Sequence, residues 1–263
     1  MCSSYAQMTF DRFILVCCAG FTLLTSVAHA FDQNHAGLDR VLKPHVRDGA
    51  VNYAALKAAP GELKAYLAEL AAVTEPAFKG WSGKDQLAYL INLYNAATLQ
   101  LIIEHYPVKS IRSIGFIPGR AWKKEFISLF GRNVSLDHVE HDIIRKNYRD
   151  ARVHFALVCA AQSCPPLRSE PFVGARLDAQ LDEQGRIFLA QETNNRVEAS
   201  SRTVHLSPIF QWFAGDFEAE AGSVLKFVTP FFPDTARAAL TGSGEFKVAF
   251  TDYDWSLNQP GSR

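Results

Sequence analysis

The stretch KDQLAYLINLYNAATLQLIIEHYP, residues 84–107, constrains this chain more than any other. Leu87, Leu90, Ile91, Leu93, Leu99, Leu101 and Ile102 cover almost every side of one helix, and a helix that is apolar all round belongs in the centre of a domain. Ser82 stands at the N-cap position with Asp85 in the capping-box position, and Tyr106-Pro107 stops the helix near His105. Asn92 and Asn95 sit inside this helix on adjoining parts of one face. A buried amide left without partners costs about 1–3 kcal/mol, so both must bond to something specific.

The elements around that helix follow from period and punctuation. Residues 35–47 and 60–73 carry helical spacing, broken by Asp48-Gly49 and Pro60. A hairpin is expected around Phe130-Gly131, and Ser135 caps a helix over LDHVEHDIIRKNY. RVHFALV, residues 152–158, reads as a buried strand, and residues 174–190 as an amphipathic helix. NRVEASSRTVHL gives two short strands, and Ser207-Pro208 opens a helix with a cap followed by proline. A helix from Ser223 and a strand within EFKVAFTDYDW close the chain. With no repeat, low-complexity tract or long linker, the expected fold is a single helix-rich α+β domain. It has a small, mostly antiparallel sheet and a buried central helix.

The first thirty residues read as a leader. Arg12 precedes the apolar run FILVCCAGFTLL, and Ala28-His29-Ala30 forms a small-x-small cleavage signal. The run is too short for a comfortable membrane span. The expectation is cleavage after Ala30 and an exported chain, periplasmic or secreted, with no membrane span. The full sequence carries 27 basic and 27 acidic side chains, and the expected mature chain, without Arg12 and Asp11, stays balanced and has no basic run. That balance argues against nucleic acid and against anionic lipid as partners.

Chemistry concentrates in HFALVCAAQSCPPL, residues 154–167, which holds His154 and the two cysteines that lie outside the leader, Cys159 and Cys164. Three readings stay open. In an exported chain the pair is a structural disulfide by default, although so short a loop gains only about 2 kcal/mol. His141, His154, Cys159 and Cys164 are ligand types suited to zinc, but the spacing lacks a C-x₂-C pair. A thiol made reactive by His154 is the third, with Cys164 in a stiff Ser-Cys-Pro-Pro loop.

Two further groups of polar residues could serve such a thiol. Glu140 and His141 lie beside the apolar stripe of Val139, Ile143 and Ile144, and Arg145 could hold a carboxylate in a fork. FTDYDWSLN near the end offers Asp252, Asp254 and Asn258 beside Trp255, either as a docked turn or as an orienter for a histidine.

Taken together, AYLINLYNAATL, SLDHVEHDIIR, HFALVCAAQSCPPL, LSPIFQWFAGDF and YDWSLN resemble the signatures of the family called domain of unknown function 547. The resemblance spans residues 38–258 and suggests an exported, bacterial-type member. Val158 stands where asparagine is expected, and Phe213 where tyrosine is common. The family's recurrent polar positions fall here on Asn92, Tyr94, Asn95, Glu140, His141, Arg145, His154, Cys159, Ser163, Cys164, Ser207, Trp212, Asp216, Asp254 and Asn258. The resemblance names no activity. Its association elsewhere with glutaredoxin-like modules favours thiol chemistry. The order of central helix, histidine segment and late Asp or Asn is also similar to papain- and transglutaminase-like scaffolds, with asparagine where those carry cysteine.

The sequence thus points to a thiol- and histidine-centred hydrolase or acyl-transferase acting on peptide-like amides, without a cofactor or metal. Cys164 or Cys159 supplies the thiol, His154 the base, and Glu140 or Asp254 the orienter. Asn92, Tyr94, Asn95, His141, Arg145, Trp212 and Asn258 are the candidate substrate-binding residues. The rival is a peptide- or protein-binding module stapled by a Cys159–Cys164 disulfide.

Overall fold

The structure is a computed structural model that describes Met1 and residues 30–115, 117, 119–242 and 244–261. The chain divides into two compact units, Met1–Ala30 and Phe31–Arg263. The leader expected over the first unit lies outside the described residues, and the second unit holds the fold. It is helix-rich α+β, with sheets of two, two and three strands among the described residues.

The central helix runs Gly83–His105 and is buried along nearly its whole length. Ser82 caps it as expected: its Oγ accepts the Asp85 backbone N–H at 3.2 Å and donates to the Asp85 carboxylate at 2.6 Å. Helices Tyr53–Ala58 and Gly61–Ala71 pack along it, as do the turn Gly174–Arg176 and the π-helical segment His138–Ile144. Among the described residues no helix is long and apolar enough to cross a membrane.

Two apolar cores result. One surrounds the central helix. The other is built on phenylalanines 155, 188, 210, 217, 227 and 232, together with Val204 and Leu206 of the three-stranded sheet. Burying each of these rings is worth about 1.5–3 kcal/mol. Helix Leu177–Leu189 reaches the second core through Gly185, where an added Cβ would lie 2.9 Å from the Phe155 ring and 2.7 Å from Phe231. Only a residue without a side chain lets helix and ring come this close.

In the three-stranded sheet, Arg196–Glu198 pairs antiparallel with Thr203–Leu206, which pairs parallel with Lys247–Phe250. The sheet expected to be mostly antiparallel therefore has one parallel ladder, because the chain returns through a run of helices before pairing. Hairpin Ile127–Leu129/Arg132–Val134 turns at Phe130 and Gly131, both with positive φ, as a two-residue type I′ loop demands.

Residues 152–158 depart from the sequence reading. The expected strand is instead a 3₁₀ turn, Ala151–Phe155, followed by an irregular segment. Asp150 caps the turn by accepting the Arg152 backbone N–H at 3.0 Å. The Arg152 guanidinium then reaches Asp150, Asp178 and Asp182, tying the turn to helix Leu177–Leu189. No strand lies alongside among the described residues. Asn95 takes that part: its Nδ2 donates to the Ala156 carbonyl and its Oδ1 accepts the Val158 N–H, both at 2.9 Å. One side-chain amide thus supplies the pairing that a neighbouring strand would have given.

Candidate active site

The segment that Asn95 holds leads directly into the thiol loop. Cys159 is half-buried, Cys164 is buried, and both are free thiols. The disulfide of the rival reading is not formed in this structure. Ala160 between them adopts φ 59, a left-handed conformation that costs a non-glycine residue about 1–2 kcal/mol. That twist turns the flanking backbone toward the Cys164 sulfur. The Cys159 N–H donates to it at 2.9 Å.

A second segment completes the thiol site. Residues 253–258 run beside the loop: Gln162 N–H donates to Ser256 O at 2.8 Å, Ser163 N–H to Asp254 O at 3.2 Å, and Asn258 N–H to Ala160 O at 3.2 Å. This brings the Tyr253 hydroxyl 3.2 Å from the Cys159 sulfur.

The two thiols are consequently unequal. Burial opposes ionisation of Cys164, yet hydrogen bonding from Cys159, Tyr253 and the backbone outweighs it and holds its pKa below the ordinary thiol value. Cys159, through its hydrogen bonding to Cys164 and its removal from water, is pushed well above that value. Of the two thiols, Cys164 is the one that ionises first. Burial and the neighbouring sulfurs drive the Tyr253 hydroxyl well above its ordinary range, keeping it a donor.

His154 is buried, with its ring stacked on Phe213 at 4.0 Å between centroids. Its Nε2 lies 2.8 Å from Asp216 Oδ2. Asp216 also accepts two bonds from the Arg145 fork, at 2.6 and 2.9 Å. The hydrogen bond from His154, assisted by Arg145 and opposed by partial burial, holds the Asp216 carboxyl well below the usual carboxylate range. An ionised carboxylate only accepts, so Nε2 carries the proton and Nδ1 of neutral His154 is the basic nitrogen. Arg145 also donates to His141 Nδ1 at 3.0 Å, so on that ring Nδ1 is the acceptor.

The two thiols, Tyr253, His154 and His141 line one cavity of about 240 Å³. Of the candidates read from the sequence, it brings together Cys159, Cys164, His154, Glu140, His141, Tyr94 and Trp212. It adds Tyr253, Trp255, Trp122, Phe213 and Asp137. Glu140 is buried on the π-helical segment, where the widened turn sets it against the central helix, and it accepts the Tyr94 hydroxyl at 3.1 Å. π-Helical turns often mark functional positions. Burial and the Glu140 charge raise the Tyr94 hydroxyl far above its ordinary pKa.

Other candidates stand elsewhere. Asn92 closes both amide bonds on the Phe172 backbone, at 2.7 and 3.0 Å. Asn95 holds the segment before the thiols, as described. Asn258 accepts from the Tyr53 hydroxyl at 2.6 Å and donates to Gly49 O at 3.1 Å. Asp254 is exposed and turns onto Ser256, at 2.9 Å to its N–H and 2.6 Å to its hydroxyl. Arg145 grips Asp216 and lines a different cavity. Asp216, rather than Glu140 or Asp254, is the carboxylate bonded to His154. In the sequence Asp216 stands out only among recurrent polar positions, and Tyr253 not at all; an aromatic set between two aspartates is its sole signal. Among the described residues, no cluster of three or more His, Cys, Asp or Glu is arranged to hold a metal ion.

No curated protein and no solved structure matches the chain. Residues 78–189, from just before the central helix to the end of helix Leu177–Leu189, match the family model described as "Protein of unknown function, DUF547".

Proposed function

We propose that the protein is a thiol-dependent hydrolase or acyl-transferase acting on peptide-like amides, with Cys164 as nucleophile. The observation that carries this reading is the setting of the Cys164 sulfur, which accepts the Cys159 N–H at 2.9 Å beside a Cys159 thiol that lies 3.2 Å from the Tyr253 hydroxyl, in the cavity that His154 also lines. A thiolate, not a thiol, is the attacking species, and donors of this kind are how a buried one is kept. The sulfur attacks the amide carbonyl carbon, the C–N bond breaks, and the leaving nitrogen takes the proton that the thiol gave up to His154. The thioester is then resolved by water or another nucleophile, whose proton passes to His154. Asp216 and Arg145 hold that imidazole in the required tautomer, and Glu140 and Tyr94 bound the substrate cavity. Export after cleavage at Ala30 is part of the same proposal.

Two measurements on purified protein test it. Mass spectrometry without reductant should find both thiols free, and p-nitrophenyl acetate should acetylate Cys164. His154→Ala should slow turnover of the acetyl-enzyme by roughly 100-fold, the scale of general acid–base catalysis. A native protein two hydrogens lighter, refusing both alkylation and acetylation, would overturn the enzyme reading in favour of a disulfide-stapled binding module.

A further inference from the structure

We infer that the cavity recognises an organic cation, the ammonium or guanidinium of a lysine- or arginine-type side chain, as the specificity element of its substrate. The first observation is the wall. Trp212 and Trp255 stack with centroids 5.7 Å apart, Tyr253 packs 4.9 Å from Trp212 and 4.5 Å from Trp255, and Trp122 meets Trp255 edge-on at 5.9 Å. Aromatic faces attract cations within about 6 Å of the ring centre. Trp212 is 48% exposed and stands at the mouth, a large apolar surface with no covering element among the described residues.

The second observation is the charge. Asp137 and Glu140 line the cavity, and no lysine or arginine does so among the described residues. Glu140 is only 7% exposed, yet the bond from the Tyr94 hydroxyl is the single one its carboxylate accepts among the described residues. A carboxylate can accept about four hydrogen bonds, and a buried one is costly unless paired. Neither Arg145 nor Arg112 fills this role. Arg145 is committed to Asp216 through both prongs of its fork, and Arg112 lies over Trp255, 5.0 Å from its centroid. What is left over is unmatched acceptor capacity beneath an aromatic wall.

The third is size. About 240 Å³ is below the range of about 300–1,000 Å³ typical of drug-sized ligands, and suits one long side chain with an apolar stem. The stem packs along the tryptophans while the charged head reaches the carboxylates. The cation's place in catalysis rests on the thiol reading; its binding does not.

Binding is therefore measured in the full chain carrying Cys164→Ser, where no acyl chemistry intervenes. Tryptophan fluorescence is titrated with N-acetyl-lysine amide, with its neutral counterpart N-acetyl-norleucine amide, and with N-acetyl-glutamate amide. The lysine probe should bind at least tenfold more tightly than the norleucine probe, and the glutamate probe more weakly still. Adding Glu140→Gln should remove most of the preference for charge. Adding Trp212→Ala, a change at an exposed site that leaves the core intact, should weaken the lysine probe at least fivefold. Equal binding of lysine and norleucine probes, or tighter binding of glutamate, would overturn the inference. If Cys164 refuses acetylation while the lysine preference holds, the thiol reading alone falls; if acetylation proceeds without the preference, the cation reading alone falls.

Discussion

Asn95 accepts the backbone N–H of Val158 through Oδ1 at 2.9 Å while its Nδ2 donates to the carbonyl two residues earlier. Removing the amide orphans two buried backbone groups at once. Asn95→Ala is expected to destabilise the protein by about 1–3 kcal/mol in urea or thermal unfolding. Asn95→Leu should not recover the loss, because volume does not replace a donor and an acceptor. Wild-type stability in both variants would show that the segment finds its pairing elsewhere.

Cys164 owes part of its depressed pKa to the Tyr253 hydroxyl. Tyr253→Phe removes that donor and leaves the ring. The pH midpoint of Cys164 alkylation by iodoacetamide should move upward, toward that of an ordinary free thiol at about pH 8.5. An unchanged or lower midpoint would mean that the backbone amides alone set the ionisation.

The Asp216 carboxyl sits well below its usual range because His154, and then Arg145, hydrogen-bond to it. A group whose folded pKa is depressed contributes stability that is complete above its unfolded value, about pH 4, and is lost as pH falls through the folded value. The stability gap between wild type and Asp216→Asn should therefore be wide at about pH 6 and close progressively below about pH 4. A gap that stays constant to the acid end would contradict the pairing.

Helix interiors normally favour alanine over glycine by about 0.5–1 kcal/mol. At Gly185 the sign should reverse, since the new Cβ would fall 2.9 Å from Phe155 and 2.7 Å from Phe231. Gly185→Ala is expected to destabilise by about 1–3 kcal/mol through overpacking. A more stable variant would mean that the rings can move aside at little cost.

Much of the scaffold is legible in the sequence because its signals are local. The central helix announces itself by apolar residues on all sides and a Ser82–Asp85 cap, and the Phe130-Gly131 hairpin by its turn. The 152–158 segment misleads for an equally local reason. Its β-branched and aromatic residues suit a strand, but only the fold determines whether a neighbouring strand exists, and here Asn95 replaces it.

The cleft is legible in its residue types and much less in its pairings. Cys159, Cys164 and His154 stand out as reactive types in one short stretch. The carboxylate that orients His154 lies 62 residues further on, in a segment whose apolar pattern says only helix. The widening of the 138–144 segment into a π-helix, which carries Glu140 into the cavity, leaves no mark in hydrophobic period.

The groups around the two thiols come from distant parts of the chain: an amide from their own loop, and a hydroxyl from the segment that follows the parallel strand Lys247–Phe250. Tyr253 reaches the thiols only through that docked segment, 94 residues further along the chain than Cys159. Under the proposed chemistry, the reactivity of the thiol is therefore a readout of whether the C-terminal segment is in place.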